Sequence, residues 1–219
     1  MRTLPSLRLR GFRSEVPAAR RHKAREPPFD LRQWGGRPFR LSDWKVFNLV
    51  VTYHNDAPAP VAGLPVTEEK VMTGFQHVHP KARDIIRHGH DWKLWVLCNR
   101  DPVENWIDGR VALLGDAAHP TLQYMAQGAC MAMEDGVCLS HELAASPGDH
   151  EAALERYRRQ RVLRTARIQL QSRAMGEHVL HPTGAHAALR NSIMSAKSDA
   201  EWYDNLAWLY GSTGLAAAV

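Results

Sequence analysis

Gly115-Asp116-Ala117-Ala118-His119-Pro120, followed by Gln127-Gly128-Ala129 and Glu134-Asp135, is the stretch whose residue types and spacing could do chemistry. The apolar run Arg110-Val111-Ala112-Leu113-Leu114 just ahead of it reads as a short buried strand, which would deliver the Asp116 carboxylate at its C-terminal end. A little further on, Gly128 opens a helix whose first N–H groups have no internal partner, and such a helix start attracts anionic or electron-rich groups. A carboxylate beside it would repel a phosphate but accept hydrogen bonds from ribose or ribityl hydroxyls. The pair therefore suits a polyol chain followed by an electron-poor ring that becomes anionic on reduction, which describes a reduced flavin. Taken singly, Gly115-Asp116 is also an ordinary strand-to-loop turn and Gln127-Gly128 an ordinary helix start; short motifs match by chance, and only the combination is specific.

The elements that must position these residues follow from pattern. Trp44 to Tyr53 is dense in β-branched and aromatic residues and stops at Asn55-Asp56-Ala57-Pro58, a strand ending in a turn. Thr67 followed by Glu68, Glu69 and Lys70 resembles a helix start, a second short helix runs from Pro80 to about His88, and Asp91 to Asn99 returns to strand character. From Gly128 a long amphipathic helix is expected. Ala129, Ala132, Met133, Gly136, Val137, Ser140, Leu143 and Ala144 fall on one side of it, with small residues where it would lie close to a neighbour. Ser146-Pro147-Gly148 ends that helix, and Asp149 can cap the next, in which Leu163, Ala166, Leu170 and Ala174 keep helical spacing. The tail from Ala185 to Tyr210 reads as one or two short helices.

The formal charge of +5 is not spread evenly: residues 1–40 hold 11 Lys+Arg against 3 Asp+Glu, and the remainder holds 17 against 20. The globular part thus offers no basic excess for nucleic acid, and no nucleic-acid partner is expected. No apolar run is long enough to span a membrane, the first residues lack a signal-peptide core, and a cytoplasmic location is the default. Cys98, Cys130 and Cys138 form no C-x-x-C pair and read as reduced, mostly buried thiols. His77-Val78-His79 with His88-Gly89-His90 is the best-looking metal cluster, but no acidic or Cys partner stands at a diagnostic spacing, so no metal site is expected. The arginines from Arg156 to Arg167 read as a solvated helix face.

Taken together, Gly115 to Pro120, Gln127-Gly128-Ala129 and Glu134-Asp135 resemble the second flavin-binding motif of the group A flavoprotein monooxygenases. Trp44 to Asp56, Trp95 to Pro102 and Met125 to Asp135 extend the likeness to the 3-hydroxybenzoate 6-hydroxylase branch, close to salicylate hydroxylases, over roughly residues 41–215. The resemblance implies an α+β chain with an incomplete para-hydroxybenzoate-hydroxylase-like fold. Its divisions would be an Arg/Pro-rich segment of little stable structure (1–40), a partial substrate-binding domain (41–109), the C-terminal part of the FAD-binding domain (110–146) and C-terminal helices (147–219). It implies FAD as cofactor, NADH as co-substrate and a small aromatic acid as substrate, with 3-hydroxybenzoate converted to 2,5-dihydroxybenzoate, no membrane partner, and room for a homodimer of the intact enzyme.

By the same likeness Asp116 would bind ribityl or ribose hydroxyls, and Gln127 with the backbone around Gly128, Ala129 and Cys130 would face the pyrimidine edge of the flavin. Pro120 would lie near the flavin edge where oxygen reacts, and Gln123, the candidate catalytic residue, would point into the substrate pocket. His119 is expected to have a structural or flavin-proximal role rather than proton transfer. The apolar strands around Val46–Val51 and Trp95–Leu97 would serve as pocket walls that exclude water, or as plain core.

Two features depart from the family pattern. None of the 15 glycines has the G-x-G-x-x-G spacing that holds the pyrophosphate end of FAD. Where relatives carry a strand rich in His and Tyr, this chain reads Gly36-Arg37-Pro38-Phe39-Arg40, which with the Arg and Pro bias of residues 1–40 suggests an out-of-frame or misassigned start joined to an in-frame remainder. The expectation is a C-terminal portion that binds FAD weakly or not at all and lacks hydroxylase activity alone. The competing class is a non-catalytic remnant or interaction module.

Overall fold

The computed structural model describes residues 3–11, 36–41, 46–53, 60–213 and 215, and it divides into two compact units, Arg2–Cys98 and Asn99–Val219. The first unit is built on a five-stranded sheet of β1 (Thr3–Gly11), β2 (Gly36–Leu41), β3 (Val46–Val51), β4 (Ala62–Pro65) and β5 (Lys93–Cys98), in the order β2-β3-β1-β5-β4. Every neighbouring pair is antiparallel. The strand expected from Trp44 to Tyr53 is β3, and Leu49, Val50 and Val51 are all buried. Residues 42–45 and 54–59, including the expected turn, lie outside the described residues. Residues 1–40, expected to hold little stable structure, are corrected in part: Thr3–Gly11 and Gly36–Arg40 are strand, because they pair with β3 and β5 or with β3, and the rest of that stretch lies outside the described residues.

Two short helices close this unit's core. In α1 (Glu68–Gly74) the Thr67 side chain caps the start by accepting from the Lys70 N–H, and α2 (Pro80–Arg87) begins with proline, where a missing N–H costs nothing. Val71 and Phe75, then Ala82 and Ile86, stand four residues apart and pack with Leu49, Val51, Trp92 and Leu94. Trp92 satisfies its indole N–H on the Gly89 carbonyl at 3.0 Å. Cys98 and Cys130 are half-buried and Cys138 is buried, all three as free thiols.

The second unit begins with a minimal hairpin, β6 (Ile107–Asp108) and β7 (Val111–Ala112), and continues through two 3-10 turns, Gly115–Ala117 and Gln123–Met125. Then come α3 (Gly128–Ala144), α4 (His150–Ala174), a π-helical turn at Met175–Leu180, α5 (Gly184–Ser195) and α6 (Asp199–Tyr210). The Asp149 side chain caps α4 by accepting from the Ala152 N–H, and Ser198 with Glu201 forms a capping box on α6.

Three further expectations are corrected here. The strand before Gly115 is not buried: Val111 is 66% and Leu113 42% exposed, because among the described residues β7 pairs with β6 alone. In α3 the apolar and small stripe, with Met133 at 64% and Val137 at 49% exposure, faces outward, and the buried positions are Met131, Asp135, Cys138 and Glu142. In α4 the spacing Leu163, Ala166, Leu170 also points away from the core, and Tyr157, Arg161, Thr165, Ile168, Gln169 and Ser172 are buried instead. The physical reason is shared: each helix turns toward a surface rich in loop carbonyls and charge, and a polar side chain there gains partners that a leucine could not.

Candidate functional site

The loop from Gly115 to Leu122 lies against the polar face of α4. Gln169 donates to the Pro120 carbonyl at 3.1 Å, and Ser172 donates to the Leu122 carbonyl at 2.5 Å. Arg100 donates to the carbonyls of Ala117, at 2.8 Å, and Ala118. Gly115 has φ +56°, and a Cβ there would stand 3.1 Å from the Ala132 Cβ, so glycine serves both the left-handed backbone and the close approach to α3.

Beneath the loop is a buried ion network. Asp135, fully buried, accepts from the Gly115 N–H (2.9 Å), from His119 Nε2 (2.6 Å) and from Arg161 Nε (2.7 Å). Glu134 accepts from Arg161 Nη1 at 2.6 Å and from Arg164 Nε and Nη2 at 2.7 and 2.8 Å. Burial by itself pushes both carboxyls up. The donated hydrogen bonds outweigh it, those of Arg164 and Arg161 on Glu134 and those of His119, Gly115 and Arg161 on Asp135, so both stay below the usual carboxylate range. Two arginines of α4 depart from the solvated face expected, since Arg161 is fully buried and the Arg164 side chain is 13% exposed, whereas Arg159 and Arg167 are exposed as expected. The His119 ring is held by Asp135 and set edge-on to Trp106 at 5.8 Å.

Above the network two candidate groups come together. Asp116 is exposed, and a Cβ added to Gly128 would lie 3.6 Å from Asp116 Oδ1 and 3.6 Å from Thr121 Cγ2. The carboxylate and the start of α3 therefore border one space, and the N-cap residue Gln127 makes no side-chain capping hydrogen bond there. Ala129 is exposed and Cys130 half-buried in the first turn of α3, while Gln127, just ahead of it, is buried and reaches the Tyr210 hydroxyl at 3.4 Å. Pro120 is half-buried on the loop, its carbonyl engaged by Gln169. Gln123 sits on the following 3-10 turn, and its Oε1 is buried with no hydrogen-bond partner among the described residues.

The geometry suits a ligand with hydroxyl donors next to an electron-rich edge: Asp116 offers an acceptor, and the first turn of α3 offers N–H donors and a positive dipole end. Sequence reasoning missed Arg161 and Arg164. The available signal was the adjacent pair Glu134-Asp135 on a helix, which requires cationic partners once buried. His77-Val78-His79 leads into α2, with the His79 ring accepting from the Lys81 N–H, and no group of three metal-binding side chains occurs among the described residues. No helix among them is long and apolar enough to cross a membrane.

A family model described as "FAD binding domain" matches residues 48–172. The chain is 43% identical to 3-hydroxybenzoate 6-hydroxylase 1 of Aquipseudomonas alcaligenes, over 91% of this chain and 52% of that protein. It is 46% identical to 3-hydroxybenzoate 6-hydroxylase of Polaromonas naphthalenivorans, over 79% of this chain and 43% of that protein. Among solved structures, a salicylate hydroxylase substrate complex superposes with a TM-score of 0.63 at 26% identity, covering 83% of this chain and 47% of that one. Klebsiella pneumoniae HpxO complexed with FAD and uric acid shares the fold at a TM-score of 0.65 and 22% identity, over 92% and 51%. The chain spans about half the length of the curated relatives it matches. On a family match covering more than half its residues, this chain belongs to the FAD binding domain family.

Proposed function

We propose that this chain forms the flavin-ring side of an FAD-dependent aromatic-ring monooxygenase, whose parent reaction is the NADH- and O₂-dependent hydroxylation of 3-hydroxybenzoate to 2,5-dihydroxybenzoate. The observation that carries the reading is the adjacency of Asp116 and Gly128, a carboxylate and a helix start bordering one space. FAD fits the donor set: Asp116 would accept from ribityl hydroxyls, and the backbone N–H groups of Gly128, Ala129 and Cys130 would meet the pyrimidine edge, stabilising negative charge there through the helix dipole. Gln127, anchored by Tyr210, would set the backbone at that entrance. Pro120, fixed by Gln169, would shape the wall beside the ring, and Gln123 Oε1, without a hydrogen-bond partner among the described residues, would be available to a substrate phenol or its proton. When bound, FAD supplies the redox chemistry, accepting a hydride from NADH and delivering one atom of O₂ to the ring. The residues' part is to bind, orient and exclude water.

The sequence as it stands has no G-x-G-x-x-G, so the pyrophosphate and adenine of FAD would find no dedicated cradle in it. The relatives' extra length supports the proposal that this chain carries only a portion of the parent fold, divided as a partial substrate-binding domain over 41–109, part of the FAD-binding domain over 110–146 and C-terminal helices over 147–219. Two measurements test the reading. Titrations should show that the full chain binds FAD no more tightly than riboflavin; a large advantage for FAD would place the dinucleotide site within this chain. With FAD and 3-hydroxybenzoate added, the chain alone should show no substrate-stimulated NADH oxidation, and turnover would contradict the proposal.

A further inference from the structure

The adjacent carboxylates of α3 serve different elements. Asp135 meets the loop through the Gly115 N–H and His119, Glu134 meets α4, and Arg161 spans the two. Arg164 adds a third connection. Its Nε and Nη2 fork onto Glu134, while Nη1 donates to the Trp208 carbonyl at 3.1 Å and Nη2 to the Leu209 carbonyl at 3.2 Å. Those carbonyls belong to the last turn of α6, where helical partners run out and a cation is favoured by the dipole. Two guanidiniums face two carboxylates in this network, and removing one of these cations leaves a buried carboxylate less compensated.

We propose that Arg164 is a positioning residue, which ties the end of α6 through Glu134, Arg161 and Asp135 to the loop Gly115–Pro120 and so fixes the candidate flavin site from its far side. The assignment of that loop to flavin rests on the proposed function; the mechanical coupling does not. Planarity matters, because only a guanidinium can fork onto one carboxylate and still reach two carbonyls. The long Gln127–Tyr210 contact makes a second link from the same turn of α6 to the start of α3. The loop and the helix entrance, whose alignment the site requires, thus share one anchor.

Amide hydrogen exchange on the full chain without flavin tests the coupling. Arg164→Met should raise exchange at the Gly115 and His119 amides by about tenfold or more, while the Ile86 amide in the other unit keeps its wild-type rate. Arg164→Lys should give an intermediate effect. Arg167→Ala removes the guanidinium stacked 3.9 Å over the Trp208 ring without touching either carboxylate, and should leave Gly115 protected. Should Arg164→Met unfold the second unit outright, the lysine variant carries the comparison, read as Gly115 against the Tyr157 amide in α4. An unchanged Gly115 rate in both Arg164 variants, or equal loosening by Arg167→Ala, overturns the proposal. A parallel FAD titration that shifts no amide of this loop would instead count against the flavin assignment and leave the coupling standing.

Discussion

Asp135 and Arg161 are each fully buried and joined at 2.7 Å, an arrangement stable only while both are present. Arg161→Met or Asp135→Ala would strand the other charge, and a loss of about 3–5 kcal/mol is expected for such a break. Urea unfolding of the full chain checks this; a loss below about 1 kcal/mol would mean that water reaches the pair. The lowered carboxyls also set a pH dependence. Their folded-state values lie below the unfolded ones, so unfolding takes up protons on acidification. The stability they contribute is complete above about pH 4, the ordinary carboxylate value, and is lost as pH falls through their lowered values. Melts from pH 7 downward should therefore show little carboxylate-linked change until about pH 4 and a steep fall beneath it, and Asp135→Asn should flatten that fall. That Gly128 opens a helix was legible in the sequence because a glycine at a helix start is a local feature, whereas Asp116 lies on the 3-10 turn Gly115–Ala117 and not at the end of the strand expected to deliver it. Arg161 was not legible, since its partner lies far away on another helix and an arginine-rich helix is most often solvated.

Helix ends were legible for the same local reason: Thr67, Pro80 and Asp149 sit where the caps form. Helix faces were not. In α3 two stripes compete, the apolar one through Met133 and Val137 and the mixed one through Met131, Asp135 and Cys138. Apolar spacing favours the first, yet the second is buried because Asp135 gains three donors there. Neighbouring methionines separate the alternatives. Met131 is 1% exposed against Ile168 and Leu209, and Met131→Ala should cost about 2–5 kcal/mol. Met133 is 64% exposed, and Met133→Ala should stay within about 0.5 kcal/mol. Equal losses in thermal or urea unfolding would show that the apolar face of α3 is also covered in solution.

On the scale of the whole chain, one unit supplies an antiparallel sheet and the other supplies the loop and helices that carry the candidate site, and the family match runs across both. The alternation of sheet and helix character was readable from composition and turn residues. The division between the units was not, because Cys98-Asn99 falls inside a stretch that reads as continuous strand and carries no glycine or proline to mark it. The proposed function requires that flavin meet the Asp116–Gly128 space. Amide chemical-shift mapping of the isotopically labelled full chain, with riboflavin added to about 1 mM, reads this directly even when binding is weak. Shifts concentrated at Asp116, Ala117, Gly128, Ala129 and Cys130, and abolished by Asp116→Ala, are the predicted result; shifts confined to other residues, or none, would contradict it.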